Sequence, residues 1–562
     1  MLRKAYDAIV VGAGTSGSLL SRNLSLSGLK TLLIEAGPSN LMTPSLSVFE
    51  RGWIHVPLGY LYTMTMKETS YGYSTDITVV DDIAQTHKST YKSTYKRTIQ
   101  YPRGRTLGGS SSINGMIYQK GNAGDYDSWG CEGWDYEAMR HAFDRIEESG
   151  MWPCEKQRLS WEILDDFGAA VKEKRGLDID PKLIDSQNEG VGYFNVNQRK
   201  GLRVSAFQAF VDPRYAAMKD EDVRSYNSGN LHVVTGNVVN GLLFDDDEPE
   251  RVTGVSCWKE LSPGVVDDRV SHSFRLKPGG DVVLSAGSVS SPHILMASGI
   301  GCGTPTQRVA LEGVGENLSD HYQIRQVYKL KEAQSLNPMA NSLLGRAKIG
   351  LEYGLFQTGP LSMAPSQLGA FLKSDPNLSY PDLQWHVQPL SLDKFGDEKL
   401  HPFPGMTAAS CNLRPTSRGF VKLNSGSKDV RDAPIIDCNF LDTEHDRRVA
   451  AVGMRITRDL VLNSDSMARY EPVEYFPGLA EAQTDLELAR AAKRHGSTIF
   501  HPVGTCSMGG VVDSNLRVKG VEGLRVCDAS VMPFLTSGNT NTPTLAIAEN
   551  FSRIYLNEKK TI

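Results

Sequence analysis

No run in this sequence approaches the ~20 consecutive apolar residues of a membrane-spanning helix, so no membrane span is expected. Positive charge is not in excess either. Lys and Arg total 60 against 65 Asp and Glu, a formal net charge of -5, which gives no general attraction for nucleic acid or anionic membrane. The eight cysteines (Cys131, Cys154, Cys257, Cys302, Cys411, Cys438, Cys506 and Cys527) include no Cys-x-x-Cys pair. They suit reduced thiols better than a disulfide framework or a zinc site, and no metal is expected. Met1 to Lys4 lead at once into Tyr6-Asp7-Ala8-Ile9-Val10-Val11-Gly12, with no separate apolar core or cleavage site for a signal peptide. A cytoplasmic location is the expectation.

What is present is a chain of 562 residues, 40% hydrophobic and 22% charged, long enough for two closely joined domains of an ordinary globular protein. A short apolar run, Ala8 to Val11, ends in Gly12-Ala13-Gly14-Thr15-Ser16-Gly17. A helical pattern follows (Leu19, Leu20, Leu24, Leu26), then a second apolar run, Thr31 to Ile34, closing on Glu35-Ala36-Gly37. This is a βαβ unit opening a parallel sheet, the start of an α/β fold. Gly12, Gly14 and Gly17 allow a tight turn and close approach to a pyrophosphate. The helix opening at Thr15 and Ser16 turns its unpaired N–H groups toward that anion. Glu35, beside Ala36, accepts from ribose hydroxyls and repels a 2'-phosphate. The pattern serves NAD and FAD alike. It occurs once, since neither Gly299-Ile300-Gly301-Cys302-Gly303 nor Gly313-Val314-Gly315 follows a strand and opens a helix. Electrons are therefore expected to leave to oxygen or another acceptor rather than to a second dinucleotide.

Residues 38 to 100 read as irregular and polar, including the near-repeat Lys88-Ser89-Thr90-Tyr91-Lys92-Ser93-Thr94-Tyr95-Lys96-Arg97. A solvated surface loop is the first reading, a lid or partner-docking patch the alternative. Strand-like segments return at Leu231 to Val239 and Asp281 to Ser285. Between about 320 and 490, alternation such as Asp382-Leu383-Gln384-Trp385-His386-Val387-Gln388 predicts a half-exposed antiparallel sheet. Gln384, His386 and Gln388 share its polar face, turned to solvent or to a substrate cavity. The last 65 residues are again rich in glycine and small residues, a return to the cofactor part.

Two stretches are more specific: Gly104-Arg105-Thr106-Leu107-Gly108-Gly109-Ser110-Ser111-Ser112-Ile113-Asn114-Gly115-Met116, and Gly287-Ser288-Val289-Ser290-Ser291-Pro292-His293-Ile294-Leu295-Met296-Ala297-Ser298-Gly299-Ile300-Gly301. Both resemble signature patterns of the glucose–methanol–choline (GMC) oxidoreductases, and Gly313-Val314-Gly315-Glu316-Asn317-Leu318-Ser319-Asp320-His321 resembles a further family segment. The resemblance implies a Rossmann-like FAD-binding domain joined to an α+β substrate domain built on an antiparallel sheet. It implies cofactor contacts from Arg105, Leu107, Gly108, Gly109 and Ser110, from Asn114, Gly115, Met116 and Ile117 around the flavin, and from Val238 beside the adenine. Ala286 and Gly287 belong to the second signature, and Asp528 with Ala529 to the pyrophosphate–ribityl segment, where a carboxylate suits a ribityl hydroxyl. The small residues of the first loop let backbone amides press against the cofactor. Some relatives attach FAD through a histidine in that loop. The matching position here is Ile113, which has no nucleophile, so non-covalent FAD is expected.

His501 opens His501-Pro502-Val503-Gly504-Thr505-Cys506-Ser507-Met508-Gly509, and Pro502 biases it toward extended backbone. One histidine among twelve is more often structural than catalytic; the family resemblance reverses that weighting. An alcohol is a very weak acid, and a neutral imidazole is the reasonable base to remove its proton as hydride leaves. The resemblance pairs His501 with Asn539, in Ser537-Gly538-Asn539-Thr540-Asn541-Thr542-Pro543-Thr544, to hold the substrate oxygen; Asn541 is the competing choice. Thr540 and Thr542 join the cofactor set. Thr542-Pro543 reads as an N-cap with proline at the first helical position, leading to a helix that starts beside the flavin.

The expected division assigns 1–155, 201–318 and 491–562 to the FAD-binding domain, with the loop or lid at about 60–100, and 156–200 and 319–490 to the substrate domain. The expected activity is oxidation of an alcohol, primary alcohols first and aromatic or furanic ones within that class, to an aldehyde or ketone. Oxygen, a quinone or a redox protein takes the electrons. The rivals are a lyase cleaving hydroxynitriles and a flavin-binding protein without turnover.

Overall fold

Ala8 to Val11 and Thr31 to Ile34 are buried on both faces, which is why these short runs carry no polar alternation. In the computed structural model, which describes residues 5–37, 52–84, 90–180, 183, 187–212, 229–262, 265–393, 399–424, 427, 429–479 and 482–561, they form β1 (Ala5–Val11) and β2 (Thr31–Ile34) around helix α1 (Thr15–Leu26). A hairpin follows, β3 (Tyr73–Ala84) against β4 (Thr90–Tyr101). Next come β5 (Gly190–Tyr193), β6 (Leu231–Val234), β7 (Asn237–Phe244), β8 (Val252–Ser262), β9 (Val265–Leu284) and helix α2 (Gly287–Ala297). Then follow β10 (Tyr322–Lys329), α3 (Leu343–Phe356), β11 (Leu368–Leu372), β12 (Leu383–Gln388), β13 (Gly405–Asn412) and α4 (Glu444–Leu462). The chain ends with β14 (Val473–Phe476), β15 (Ser497–Thr498), β16 (Leu524–Val526) and α5 (Asn541–Thr561).

Two seven-stranded sheets result. The first has the order β6-β2-β1-β9-β8-β7, with β16 also on β9. Its centre is parallel, Val10 lying opposite both Leu33 and Val283, and β8 and β7 extend it antiparallel. The second, antiparallel throughout, runs β14-β10-β13-β12-β11-β5, with β15 also on β10. Helix α4 backs it, and Trp385 Nε1 donates to Thr457 Oγ1 at 2.9 Å across that interface.

Two expectations are corrected. The second sheet is not half-exposed: every residue of β11, β12 and β13 is buried. The polar alternation is real, but His386 and Gln388 line an internal cavity, with Gln384 buried beside them. Nor are residues 73–84 and 90–100 an irregular loop, while 38–51 and 85–89 lie outside the described residues. In the β3–β4 hairpin Tyr73 pairs with Tyr101 and Thr75 with Ile99, and Ile77, Val79, Ile99 and Tyr101 are buried, each worth roughly 1.5–3 kcal/mol. Arg97 ties the hairpin down, donating to Tyr322 Oη at 2.9 Å and Gly496 O at 2.7 Å. Of the near-repeat, Lys88 and Ser89 lie outside the described residues.

Candidate active site

A cavity of about 2030 Å³, its open mouth included, takes its walls from both sheets. The structure brings Gly12, Gly14, Thr15, Ser16, Glu35 and Ala36 to it from the fingerprint, and Gly109, Ser110, Asn114, Gly115, Met116 and Ile117 from the first signature loop. Val238, Ala286, Gly287, Asp528, Ala529, His501, Asn539 and Thr540 complete the set. Five expected contacts are not on the wall. Gly17 is a packing glycine, since a Cβ there would collide with Gly12 O. Gly108 (φ 90°) makes the turn behind Gly109, and Leu107 is core. Arg105 pairs with Glu260 and lies over Tyr71, which does line the cavity. Thr542 is not an N-cap: α5 already starts at Asn541, because Thr540 O accepts Thr544 N at 3.0 Å, and Pro543 sits in the first turn, where no N–H is needed.

The wall suits a dinucleotide. Helix α1 opens on Gly14 with no side-chain cap, leaving its first N–H groups to a ligand. A Cβ at Gly14 would meet nothing nearer than Gly109 Cα at 3.9 Å, so the space before the helix is open. Glu35 is held in place by Ala13 N and Gly37 N, both at 2.9 Å, and burial pushes its carboxyl up to about 7. The start of α5 meets the start of α1, Thr15 Oγ1 donating to Asn541 Oδ1 at 2.8 Å. Asn541 Nδ2 and Asn539 Oδ1 are buried there with no protein partner. Asp528 accepts from Gly287 N at 2.8 Å, Ser291 Oγ at 2.6 Å and Ser530 N at 2.8 Å. Asn114 is fixed by its Oδ1, which takes Met116 N and Arg203 Nη1, each at 3.0 Å, so its Nδ2 is the donor left over. Arg203 was not visible as a site residue from the sequence. It is buried, and desolvation lowers its guanidinium to about 9.

The chain leaves β15 through Phe500 at φ 68°, a strained conformation for a bulky side chain. Arg103 Nη1 donates to Phe500 O at 3.0 Å, and Phe500 N to Thr498 Oγ1 at 2.7 Å, which hold it there. The next residue is His501. Its backbone N donates to Asp320 Oδ1 at 2.7 Å, and the same carboxylate takes Tyr101 Oη at 2.7 Å and Thr498 Oγ1 at 2.5 Å. Burial pushes the Asp320 carboxyl up to about 6. The ring of His501 lies between His321, Nδ1 to Nδ1 at 2.9 Å, and Asn539, whose Nδ2 is 3.1 Å from Nε2. Of the two asparagines, Asn539 is the one that touches the His501 ring, and Asn541 belongs to the helix junction.

The contacts also decide the tautomer. His321 Nε2 lies 3.2 Å from Leu413 O and must be its protonated nitrogen, so His321 Nδ1 accepts. His501 Nδ1 is then the donor, and its Nε2 carries a lone pair at the cavity. Burial, then His321, His386 and Arg103, hold the His501 imidazole well below its usual titration range, so it stays neutral. Asp320 and His321 together position the histidine by backbone and ring. The sequence shows them as a family-like segment, but nothing local links them to a residue 180 positions on. His321→Phe is expected to lower turnover by ~10–100-fold by releasing the tautomer, with His321→Asn keeping most of it. Turnover at constant flavin occupancy is the measurement; an unchanged His321→Phe rate removes His321 from this role.

Two GMC oxidoreductase family models match the chain, the N-terminal one over residues 6–323 and the C-terminal one over 415–548. The chain belongs to the GMC oxidoreductase family. This GMC oxidoreductase is 32% identical over 578 residues to an alcohol dehydrogenase (acceptor) of Pseudomonas putida, covering 98% of this chain and 95% of the relative. It is 31% identical to an oxygen-dependent choline dehydrogenase of Staphylococcus xylosus, covering 99% and 96%. Among solved structures, a formate oxidase of Aspergillus oryzae RIB40 superimposes with a TM-score of 0.82 at 21% identity over 100% of both chains. The pyridoxine 4-oxidase from Mesorbium loti does so with 0.76 at 24%, over 98% and 99%. The fold of this GMC oxidoreductase is accordingly α/β, Rossmann-like in its first sheet.

Proposed function

We propose that this chain oxidises an alcohol, primary alcohols first, to the aldehyde or ketone with non-covalently held FAD, passing the electrons on to oxygen or a quinone-type acceptor. One observation carries the reading: a neutral imidazole, His501, stands at the cavity wall with an unprotonated Nε2 that accepts from Asn539 Nδ2 at 3.1 Å, the position a substrate hydroxyl would share with that pair. FAD, when bound, supplies the hydride-accepting ring. The first turn of α1 would hold its pyrophosphate, Glu35 its adenosine ribose, Val238 the adenine, Asp528 a ribityl hydroxyl, and Asn114 with Gly115 the flavin edge. Ile113 on the wall packs with Tyr60 and Met64 and offers no atom for a covalent link.

His501 takes the hydroxyl proton at Nε2, and Asn539 steadies the oxygen as negative charge grows on it. Tyr60, Met64 and Phe500 give the cavity an apolar side, with Gln323, His386 and Gln388 as a polar roof. That mix suits a compact body with a hydrophilic end, aromatic and furanic alcohols included. The relatives named as alcohol and choline dehydrogenases support a CH–OH donor.

The test is anaerobic addition of an alcohol panel to FAD-loaded protein. Bleaching of the yellow flavin is expected, and colour returning on admission of air identifies oxygen as acceptor. A flavin that no alcohol bleaches, in protein that releases cyanide from hydroxynitriles, overturns the reading in favour of a lyase. The pH profile is a separate prediction. The active form of His501 is the neutral one and its pKa is depressed, so the acid limb of kcat/KM is expected below the ordinary histidine value of 6.5. A limb at or above that value contradicts the assignment.

A further inference from the structure

Helix α3 turns its apolar side outward. At ~100° per residue, Leu343, Leu344, Ala347, Leu351 and Leu355 share one face, and the four leucines are 86%, 87%, 64% and 65% exposed. The opposite face holds the helix to the body: Ile349 is buried and Tyr353 Oη donates to Gly201 O at 3.0 Å. A surface helix ordinarily does the reverse. Arg346 and Lys348, both exposed, border the leucine stripe on its two sides. Arg158 Nε donates to Gln357 O at 3.0 Å at the C-terminal end, while the one acid of the helix, Glu352, takes Thr358 Oγ1 at 3.3 Å. A chain of net charge -5 thus carries a basic rim around its most exposed leucines among the described residues.

Two turns link the helix to the cavity wall. Helix α3 packs on the turn Pro360–Ser362, which touches the turn Pro57–Gly59. These turns run on into Pro365 and Ser366, and into Tyr60 and Met64, all four lining the cavity.

We infer that α3 lies in the surface of a lipid bilayer bearing anionic headgroups, with its leucines at the acyl boundary and Arg346 and Lys348 against the phosphates. An apolar stripe flanked by cations is the composition such interfacial helices have, and long basic side chains reach the headgroups while their stems stay apolar. No helix among the described residues is long and apolar enough to cross a membrane, so the contact is peripheral. A second copy fits less well, because one stripe of five side chains is far short of the ~20–30 residues a stable interface uses on each side. The inference stands apart from the redox reading. If both hold, the alcohol or the acceptor is drawn from the membrane at the edge of the cavity.

Flotation of the full-length protein with phosphatidylcholine vesicles, with and without phosphatidylglycerol, tests it. The protein is expected to float with the anionic vesicles and weakly with the neutral ones. Joint Leu351→Glu and Leu355→Glu lowers that binding by on the order of 10-fold or more, with an unchanged thermal melt as the control for folding. Joint Arg346→Glu and Lys348→Glu removes the preference for phosphatidylglycerol. The idea is overturned by a wild-type protein that floats with neither vesicle, or by a double-leucine variant that floats as well as wild type. A dimer that the leucine changes dissociate, with no vesicle binding, overturns it too and makes the face a self-interface.

Discussion

Replacing His501 with alanine is expected to lower the rate of anaerobic flavin reduction by an alcohol by ~10²–10⁴-fold, the usual worth of a positioned general base. At the upper end this is about 5.4 kcal/mol of transition-state stabilisation. The loss is expected in kcat more than in KM. His501 is one polar contact among several on the wall, whereas the proton it removes is in motion only at the transition state. Alanine removes the ring and its contacts to His321 and Asn539, but the backbone N–H still reaches Asp320, so FAD retention should change little and the melting temperature should fall only by what two lost polar contacts cost. Stopped-flow reduction at constant flavin occupancy measures the effect. A His501→Ala enzyme within threefold of wild type would show that another group takes the proton.

Gly14→Val should abolish the yellow holoprotein without unfolding the chain. Gly14 has φ -77° and ψ -160°, a region valine adopts readily, and no protein atom lies within 3.9 Å of its Cβ position. The added methyls instead fill the space in front of the first turn of α1, where the dinucleotide reading puts the pyrophosphate. A loss of FAD affinity on the order of 100-fold or more, at least ~2.7 kcal/mol, is expected, with a circular dichroism spectrum like that of wild-type apoprotein. Gly17→Ala is the contrasting change, because its Cβ collides with the backbone oxygen of Gly12 instead of filling open space in front of the helix. It should lower the melting temperature. A Gly14→Val protein that titrates with FAD like wild type would remove the cofactor from this wall.

The cofactor cradle was the most legible part of the protein. A strand, a glycine turn and a helix start within six residues have to use their backbone locally, and the βαβ geometry follows from the order alone. The second sheet was half legible. Period-two alternation at Gln384, His386 and Gln388 marks a strand with a polar face, but water and an internal polar cavity leave the same trace in sequence. Only the burial of the whole strand, with α4 on one side and the cavity on the other, decides between them. The β3–β4 hairpin was misread because Lys, Ser and Thr suggest a solvated loop. Yet Thr75, Ile77 and Val79, opposite Ile99, Arg97 and Tyr95, are buried when paired, and pairing is not a local property.

By itself the sequence determined the α/β class, the dinucleotide fingerprint and the family, and it singled out His501 with Asn539 or Asn541 beside it, because each is written in a short contiguous stretch. Tertiary structure alone decided that His321 and Asp320 hold His501, that Arg203 orients Asn114, and that α3 shows its leucines to the outside. These are contacts, or missing contacts, between segments distant along the chain. Folding creates them by burying surfaces whose partners no stretch of residues names in advance.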